Sequence, residues 1–224
     1  MNDANEAAAR AAARLAAVTE VIARTAKLAG RQASEIELIA VSKTMPPESI
    51  QPLIDAGQAS FGENRVQEAA GKWPALRTPA TRLHLVGQLQ SNKAREAVEL
   101  FDAIHSVDRA SLVEALARAQ AATGLRRQLF AQVNIGAEDQ KGGCAIAELP
   151  ALLRQAADAG LAVEGLMCVP PADTEAAPFF ALAARLARDN GLTRLSMGMS
   201  ADYETAIMLG ATQIRVGTAL FGAR

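Results

Sequence analysis

The feature that most restricts this chain is a series of eight short apolar runs, rich in β-branched residues and separated by segments with helical spacing. The runs are IELIAVSK from Ile36, ASFGEN from Ala59, RLHLVG from Arg82, FDAIHSV from Phe101, QLFAQVNI from Gln128, LAVEGLMCV from Leu161, TRLSMG from Thr193 and QIRVGT from Gln213. Between them, segments such as PESIQPLIDAG, RASLVEALARAQAATG and ADYETAIMLG place apolar residues at the spacing of a helix face. Strands that alternate with helices pair in parallel, because a parallel pair needs a long crossover and the helix supplies it. Five of the helical segments end at a glycine just before the next strand: Gly57, Gly124, Gly160, Gly191 and Gly210. A glycine there takes the left-handed conformation that closes a helix at little cost. Eight such units predict an α/β fold of the TIM type, a (β/α)8 barrel with a parallel eight-stranded sheet. An open doubly wound sheet is the alternative.

An Ala-rich helix precedes the first run, whereas the last strand is followed only by ALFGAR, too short for a crossover helix. The extra N-terminal helix is therefore expected to lie outside the closure, where the first and last strands become neighbours. Residues 1–224 are expected to form a single domain, since two domains would each be small.

Composition narrows the function. With 23 basic and 24 acidic side chains and a formal charge of −1, no strong field favours nucleic acid or an anionic membrane, which points to a small-molecule partner. Cys144 and Cys168 each lack a second Cys or His at ligand spacing, so neither a disulfide framework nor a metal site is expected, and a reducing, cytoplasmic location fits. The N-terminal segment is interrupted by Asp3, Glu6 and Arg10 and lacks the apolar core of a signal peptide, and no stretch is long enough to span a bilayer. The motifs of phosphate loops, dinucleotide-binding folds, zinc proteases and serine hydrolases are absent.

Lys43 ends the first run. Side chains alternate along a strand, so if Ile36, Leu38 and Ala40 pack on helices, then Glu37, Ile39, Val41 and Lys43 face the lumen and Lys43 enters the barrel mouth. Barrel enzymes build their sites there, and a lysine held in a partly dry, cationic setting forms a Schiff base with an aldehyde. The alternative is a solvated lysine covering the strand end. In the eighth run the same alternation sends Gln213, Arg215 and Gly217 inward, which sets Arg215 beside Lys43 if the barrel closes. A guanidinium there disfavours protonation of a neighbouring amine or ring nitrogen; the alternative is a structural pair with Glu37.

The loops after the seventh and eighth strands, SMGMSADYE and RVGTALFG, are those with which β/α barrels commonly hold phosphate. Gly198 and Gly217 permit close backbone approach, Met199 lies between Gly198 and Ser200, Ser200 and Thr218 supply hydroxyls, and Ser200 reads as a helix N-cap. Asn64 suits a ligand contact or a helix cap. His84 and His105 read as hydrogen-bonded core residues. Gln88, Ser91, Asn92 and Lys93 form a polar turn, and the stretch from Asp139 to Gly143 reads as a flexible loop or a lid over the mouth.

Taken together, AVSKT, FGENRVQE, HLVGQLQSNK, HSVD, LSMGMSADYETAI and IRVGTALFG resemble the signature blocks of the pyridoxal phosphate homeostasis proteins, in order, from Val41 to Gly222. The resemblance implies a monomeric or weakly associating barrel similar to the N-terminal domain of alanine racemase, with pyridoxal 5′-phosphate as its cofactor. It implies that Lys43 is the Schiff-base lysine, that Arg215 contacts the pyridine nitrogen, and that Ser200, Gly217 and Thr218 contact phosphate. Asn64 and Met199 then lie near the cofactor. It further implies a carrier or regulator of vitamin B6 that serves pyridoxal phosphate-dependent apoenzymes and has no dedicated turnover reaction. The alternatives are a low-activity amino-acid racemase, using Lys43 with Tyr203 or a histidine, and a Schiff-base aldolase. Gln88 stands where many members have proline, and NIGAEDQKGG and LMCVPPA differ from the usual loops.

Overall fold

A computed structural model describes residues 2–222; Met1, Ala223 and Arg224, at the ends of the expected 1–224 unit, lie outside the described residues. The eight runs become β1 (Glu37–Val41), β2 (Ser60–Glu63), β3 (Arg82–Leu85), β4 (Ala103–Val107), β5 (Gln128–Gln132), β6 (Val163–Met167), β7 (Arg194–Ser196) and β8 (Gln213–Val216). They close, all parallel, into one barrel in sequence order, as the alternation of strand and helix predicts. The helices are α1 (Asn2–Leu28), α2 (Pro47–Asp55), α3 (Val66–Leu76), α4 (Ala94–Leu100), α5 (Ala110–Thr123), α6 (Leu149–Asp158), α7 (Ala177–Asp189), α8 (Tyr203–Met208) and α9 (Thr218–Phe221).

The five cap glycines all have positive φ, from +69° at Gly191 to +100° at Gly210, so each closes its helix as the sequence predicts. Helix α1 packs on α2, α8 and the short α9, covering the seam between β1 and β8. At that seam Glu37 pairs with Gln213 and Ile39 with Arg215, which places the inward faces of the two strands side by side.

Two apolar regions result. A continuous layer that includes Ala40, Phe61, Leu83, Ile104, Leu129, Leu166, Ile214 and Val216 fills the space between strands and helices. Ile39, Ala103, Phe130 and Met167 are buried but stand apart from that layer. Polar Glu37, His84, His105, Ser196 and Arg215 join Ile39 and Phe130 inside the ring, so the barrel interior is packed with mixed character, unlike its apolar jacket. Among the described residues, no helix is long and apolar enough to cross a membrane.

Candidate functional site

A cavity of about 480 Å³ opens at the C-terminal ends of the strands, within the roughly 300–1,000 Å³ usual for small-molecule sites. All seven residues singled out in the sequence line it: Lys43, Asn64, Met199, Ser200, Arg215, Gly217 and Thr218. Val41, Met45, Val86 and Val169 form apolar walls, and Ala201 and Gly222 complete the rim. Lys43 and Arg215, at opposite ends of the chain, share this space because β1 is paired with β8.

Burial divides the cavity into floor and rim. Arg215 is buried at the floor, Lys43, Asn64, Ser200 and Gly217 are half-buried, and Met199 and Thr218 are exposed. Arg215 is anchored rather than paired with Glu37: Nη1 donates to Ser196 Oγ at 2.7 Å and Nη2 to the carbonyl of Cys168 at 2.9 Å. Burial pulls its pKa down from the ordinary value, but a guanidinium titrates so high that it keeps its charge. Burial also pushes the Cys168 thiol up to about 12, so no thiolate neutralises the arginine, and the Cys144 thiol, up to about 11, is equally inert.

Ser200 departs from its expected role. Asp202, not Ser200, occupies the N-cap position of α8, and its carboxylate accepts the Met199 N–H at 2.6 Å. Ser200 Oγ instead accepts the Gly217 N–H at 3.2 Å, tying the β7 and β8 loops into one cradle. Gly198, which leads into this cradle, has φ +91° and leaves no room for a side chain, since a Cβ there would lie 2.6 Å from that of Ala206. At Gly217 a Cβ would meet nothing in the protein closer than 3.5 Å, so the missing side chain leaves space on the cavity side. Asn64 does not cap α3, whose N-cap is Arg65. Its backbone approaches Gly87 so closely that any Cβ at 87 would collide with the Asn64 carbonyl.

The stretch 139–143 is fastened to the rim. Lys141 Nζ donates to the Pro170 carbonyl at 2.9 Å, Gln132 Nε2 to the Gly142 carbonyl at 3.1 Å, and the Gly143 N–H to Asp108 at 3.2 Å. Lys93 lies on the surface beside Glu96, the solvated role expected of it. Both histidines are fully buried in the lumen, as expected of core residues.

One support has no counterpart among the sequence expectations. Behind Lys43, on the helix side of β1 and β2, Lys72 of α3 is buried and reaches the Ser42 carbonyl at 2.8 Å, the Met45 carbonyl at 3.1 Å and Glu63 at 2.9 Å. Glu63, fully buried, also accepts from Ser42 Oγ at 2.6 Å and Trp73 Nε1 at 2.9 Å. Glu68 bridges Lys72 to the N–H of Thr44, a non-glycine residue at φ +62°. The backbone on both sides of Lys43 is thus pinned to one buried ammonium. The i, i+4 spacing of Glu68 and Lys72, next to the single tryptophan, was the only trace of this clamp in the sequence.

Comparison with known proteins agrees with this geometry. The family described as alanine racemase, N-terminal domain, matches residues 13–224. The pyridoxal phosphate homeostasis protein of Pseudomonas aeruginosa is 41% identical over 216 residues, covering 94% of each chain. That of Escherichia coli is 39% identical over 222 residues, covering 94% of this chain and 95% of its own. The structure of PipY from Synechococcus elongatus, solved with PLP bound, superposes with a TM-score of 0.78 at 42% identity, covering 90% of this chain and all of that one.

Proposed function

The chain belongs to the pyridoxal phosphate homeostasis protein family, and from that premise we propose that it carries pyridoxal 5′-phosphate on Lys43 in the service of intracellular vitamin B6 balance. When bound, the cofactor supplies an aldehyde that condenses with an amine, releasing water and forming an imine, and a ring that withdraws electrons.

The donor set fits such a ligand. Lys43 is the one amine in the lining among the described residues; the Ser200 and Thr218 hydroxyls, with space left by Gly217, suit a phosphate at the exposed rim. Arg215 has N–H groups left over after its two anchors and serves a ring nitrogen at the buried floor. A cationic donor at that nitrogen keeps it unprotonated and weakens electron withdrawal. Asn64 and Met199, which also line the cavity, would lie near the ring once it is bound.

The observation that carries the carrier reading over a racemase is the poverty of the lining in proton-transfer groups. Beside Lys43 and Arg215, the lining holds no carboxylate, imidazole, thiol or phenol among the described residues, whereas racemisation needs a second base. Tyr203 is buried on α8 outside that lining, and the two histidines lie below Arg215. On this reading residues 1–224 act as one binding unit, monomeric and cytoplasmic, that yields its cofactor to pyridoxal phosphate-dependent apoenzymes. The exposed rim at Met199 and Thr218 supports release by leaving the anionic end of the ligand within reach of solvent.

The test is the absorbance of the purified protein loaded with pyridoxal phosphate, before and after borohydride, with the reduced adduct mapped by mass spectrometry. An imine band that reduction traps on Lys43, and that Lys43→Ala loses while its circular dichroism stays native, is expected. A band persisting in that variant, or an adduct on another lysine, refutes the assignment. Rapid α-proton exchange of a single amino-acid enantiomer in deuterated water would favour the racemase instead.

A further inference from the structure

Below the cavity floor the lumen holds a line of polar side chains that the carrier chemistry leaves unexplained. Arg215 Nη1 donates to Ser196 Oγ at 2.7 Å, and Ser196 Oγ lies 2.8 Å from His105 Nδ1. His105 Nε2 lies 3.1 Å from His84 Nδ1, and His84 Nε2 lies 3.3 Å from Glu37 Oε1. The Glu37 carboxylate also accepts from Ser60 Oγ and Gln213 Nε2, each at 2.6 Å. Apart from Glu37, every member of the line is buried.

The partners dictate where each proton sits. A guanidinium can only donate, so Ser196 Oγ accepts from it and sends its own hydrogen to His105 Nδ1. His105 must then carry its proton on Nε2, aimed at His84 Nδ1, which leaves the proton of His84 on Nε2, facing the carboxylate. That last contact is off-line for an aligned hydrogen bond, yet among the described residues nothing else reaches the nitrogen, and a bare lone pair there would face an anion. A donor-only group at the top and an acceptor-only group at the bottom therefore impose the same direction on every link. Stacking on Phe130, with ring centroids 4.3 Å apart and planes 14° off parallel, fixes the His105 ring. Burial, helped by the nearby charge of Arg215, holds the His105 pKa well below the ordinary imidazole value, so that ring stays neutral.

We propose that Ser196, His105, His84 and Glu37 are positioning residues for Arg215, forming a one-way line of donors through the barrel that keeps the guanidinium aimed at the ring nitrogen of the cofactor. The proposal rests on the pyridoxal phosphate reading above. It explains why the floor arginine is not paired directly with the lumen carboxylate: the two charges stay apart, and the neutral groups between them transmit orientation. Among the described residues, other charged groups lie at the ends of the line: Lys43 in the same cavity as Arg215 and Asp202 acting on Arg215 above, and Arg82, Glu164 and Arg194 around Gln128 below.

The chain has two histidines, so 15N NMR of labelled protein reads this line and nothing else in the imidazole region. Both rings are expected to carry the proton on Nε2, with and without pyridoxal phosphate, and His105 to show no titration step near the ordinary imidazole value. In parallel, retention of pyridoxal phosphate is compared with that of its 1-deaza analogue, in which carbon replaces the ring nitrogen. The wild-type preference for the natural cofactor is expected to fall about tenfold in Ser196→Ala, and in the same direction but less in the isosteric Glu37→Gln, which covers the case that the first variant folds poorly. A general loss of structure would weaken both ligands alike and leave that ratio unmoved.

An Nδ1 proton on either ring, His105 titrating near its usual value, or an unchanged ratio in both variants would overturn the proposal. If wild-type protein binds neither ligand, the carrier reading fails and the proposed aim of Arg215 fails with it, while Nε2 tautomers in the same sample would show that the line of donors itself exists.

Discussion

On the helix side of the strand wall, Glu63 and Lys72 meet as a buried ion pair; on the lumen side, Glu37 and Arg215 carry opposite charges and are kept apart by a hydroxyl and two imidazoles. The outer pair neutralises itself and spends its remaining donors on the carbonyls of Ser42 and Met45, so it fixes backbone. The inner line reaches no farther into backbone at its top than the Cys168 carbonyl, and it fixes a side chain. The difference teaches that the two groups most central to the cavity need different kinds of support. In the proposed chemistry Lys43 has to swing its amine to an aldehyde, so only its anchor is rigid, whereas Arg215 has to hold still.

The contrast can be broken most severely from the outside. Lys72→Met strands Glu63 without its cation in a dry setting and is expected to cost about 3–5 kcal/mol in denaturant unfolding. Adding Glu63→Gln should recover part of that loss, whereas independent contributions would simply add. Next in size is Gly198→Ala, where the positive φ and the Ala206 contact together predict a loss of about 1–3 kcal/mol, visible as a lower melting temperature. Gly217→Ala, on the same cradle, is expected to melt within about 0.5 kcal/mol of wild type while losing cofactor retention, because its Cβ would make only ordinary contacts with Val41, 3.5 Å away at the nearest, at the edge of the cavity.

Acid sharpens the lumen side of the comparison. Burial alone would raise the pKa of Glu37, but the His84 Nε2–H that faces it and the hydrogen bonds from Ser60 and Gln213 hold it well below the usual carboxylate range. An unfolded glutamate takes up a proton near pH 4.3, so as pH falls below about 4.3 the unfolded chain gains a proton that the folded chain refuses, and stability drops. For His105, whose folded pKa is also depressed, the same sign applies from about pH 6.5 downward. Urea unfolding across this range should show Glu37→Gln with a flatter limb below about pH 4.3 than wild type. Smallest of all, Lys93→Ala removes an exposed ion pair with Glu96 and is expected to change stability by about 0.5 kcal/mol or less, leaving the imine band intact.

Where sequence served and where it failed follows the range of the interactions involved. Strand runs such as IELIAVSK and QIRVGT were legible because their helix-facing positions, Leu38, Ala40, Ile214 and Val216, are all apolar, and the same alternation turns Lys43 and Arg215 inward. Closing glycines such as Gly124 were legible because helix ends are local. Ser200 was misread as a cap for the converse reason: its partner, the Gly217 N–H, lies on another loop, and nothing next to Ser200 announces it. His84 and His105 could be assigned to the core, but not to a line, since that depends on the register of β3, β4, β7 and β8. Lys72 was invisible because a lysine in a helix is normally solvated, and only the fold decides that this one faces the wall.

The seam between β1 and β8 sets a timetable for the newborn protein. Lys43 emerges from the ribosome early, well before the strand that bears Arg215, leads into Gly217 of the cradle and pairs with β1. A chain made only as far as β7 therefore carries the amine of Lys43 without the wall that β8 gives the cavity.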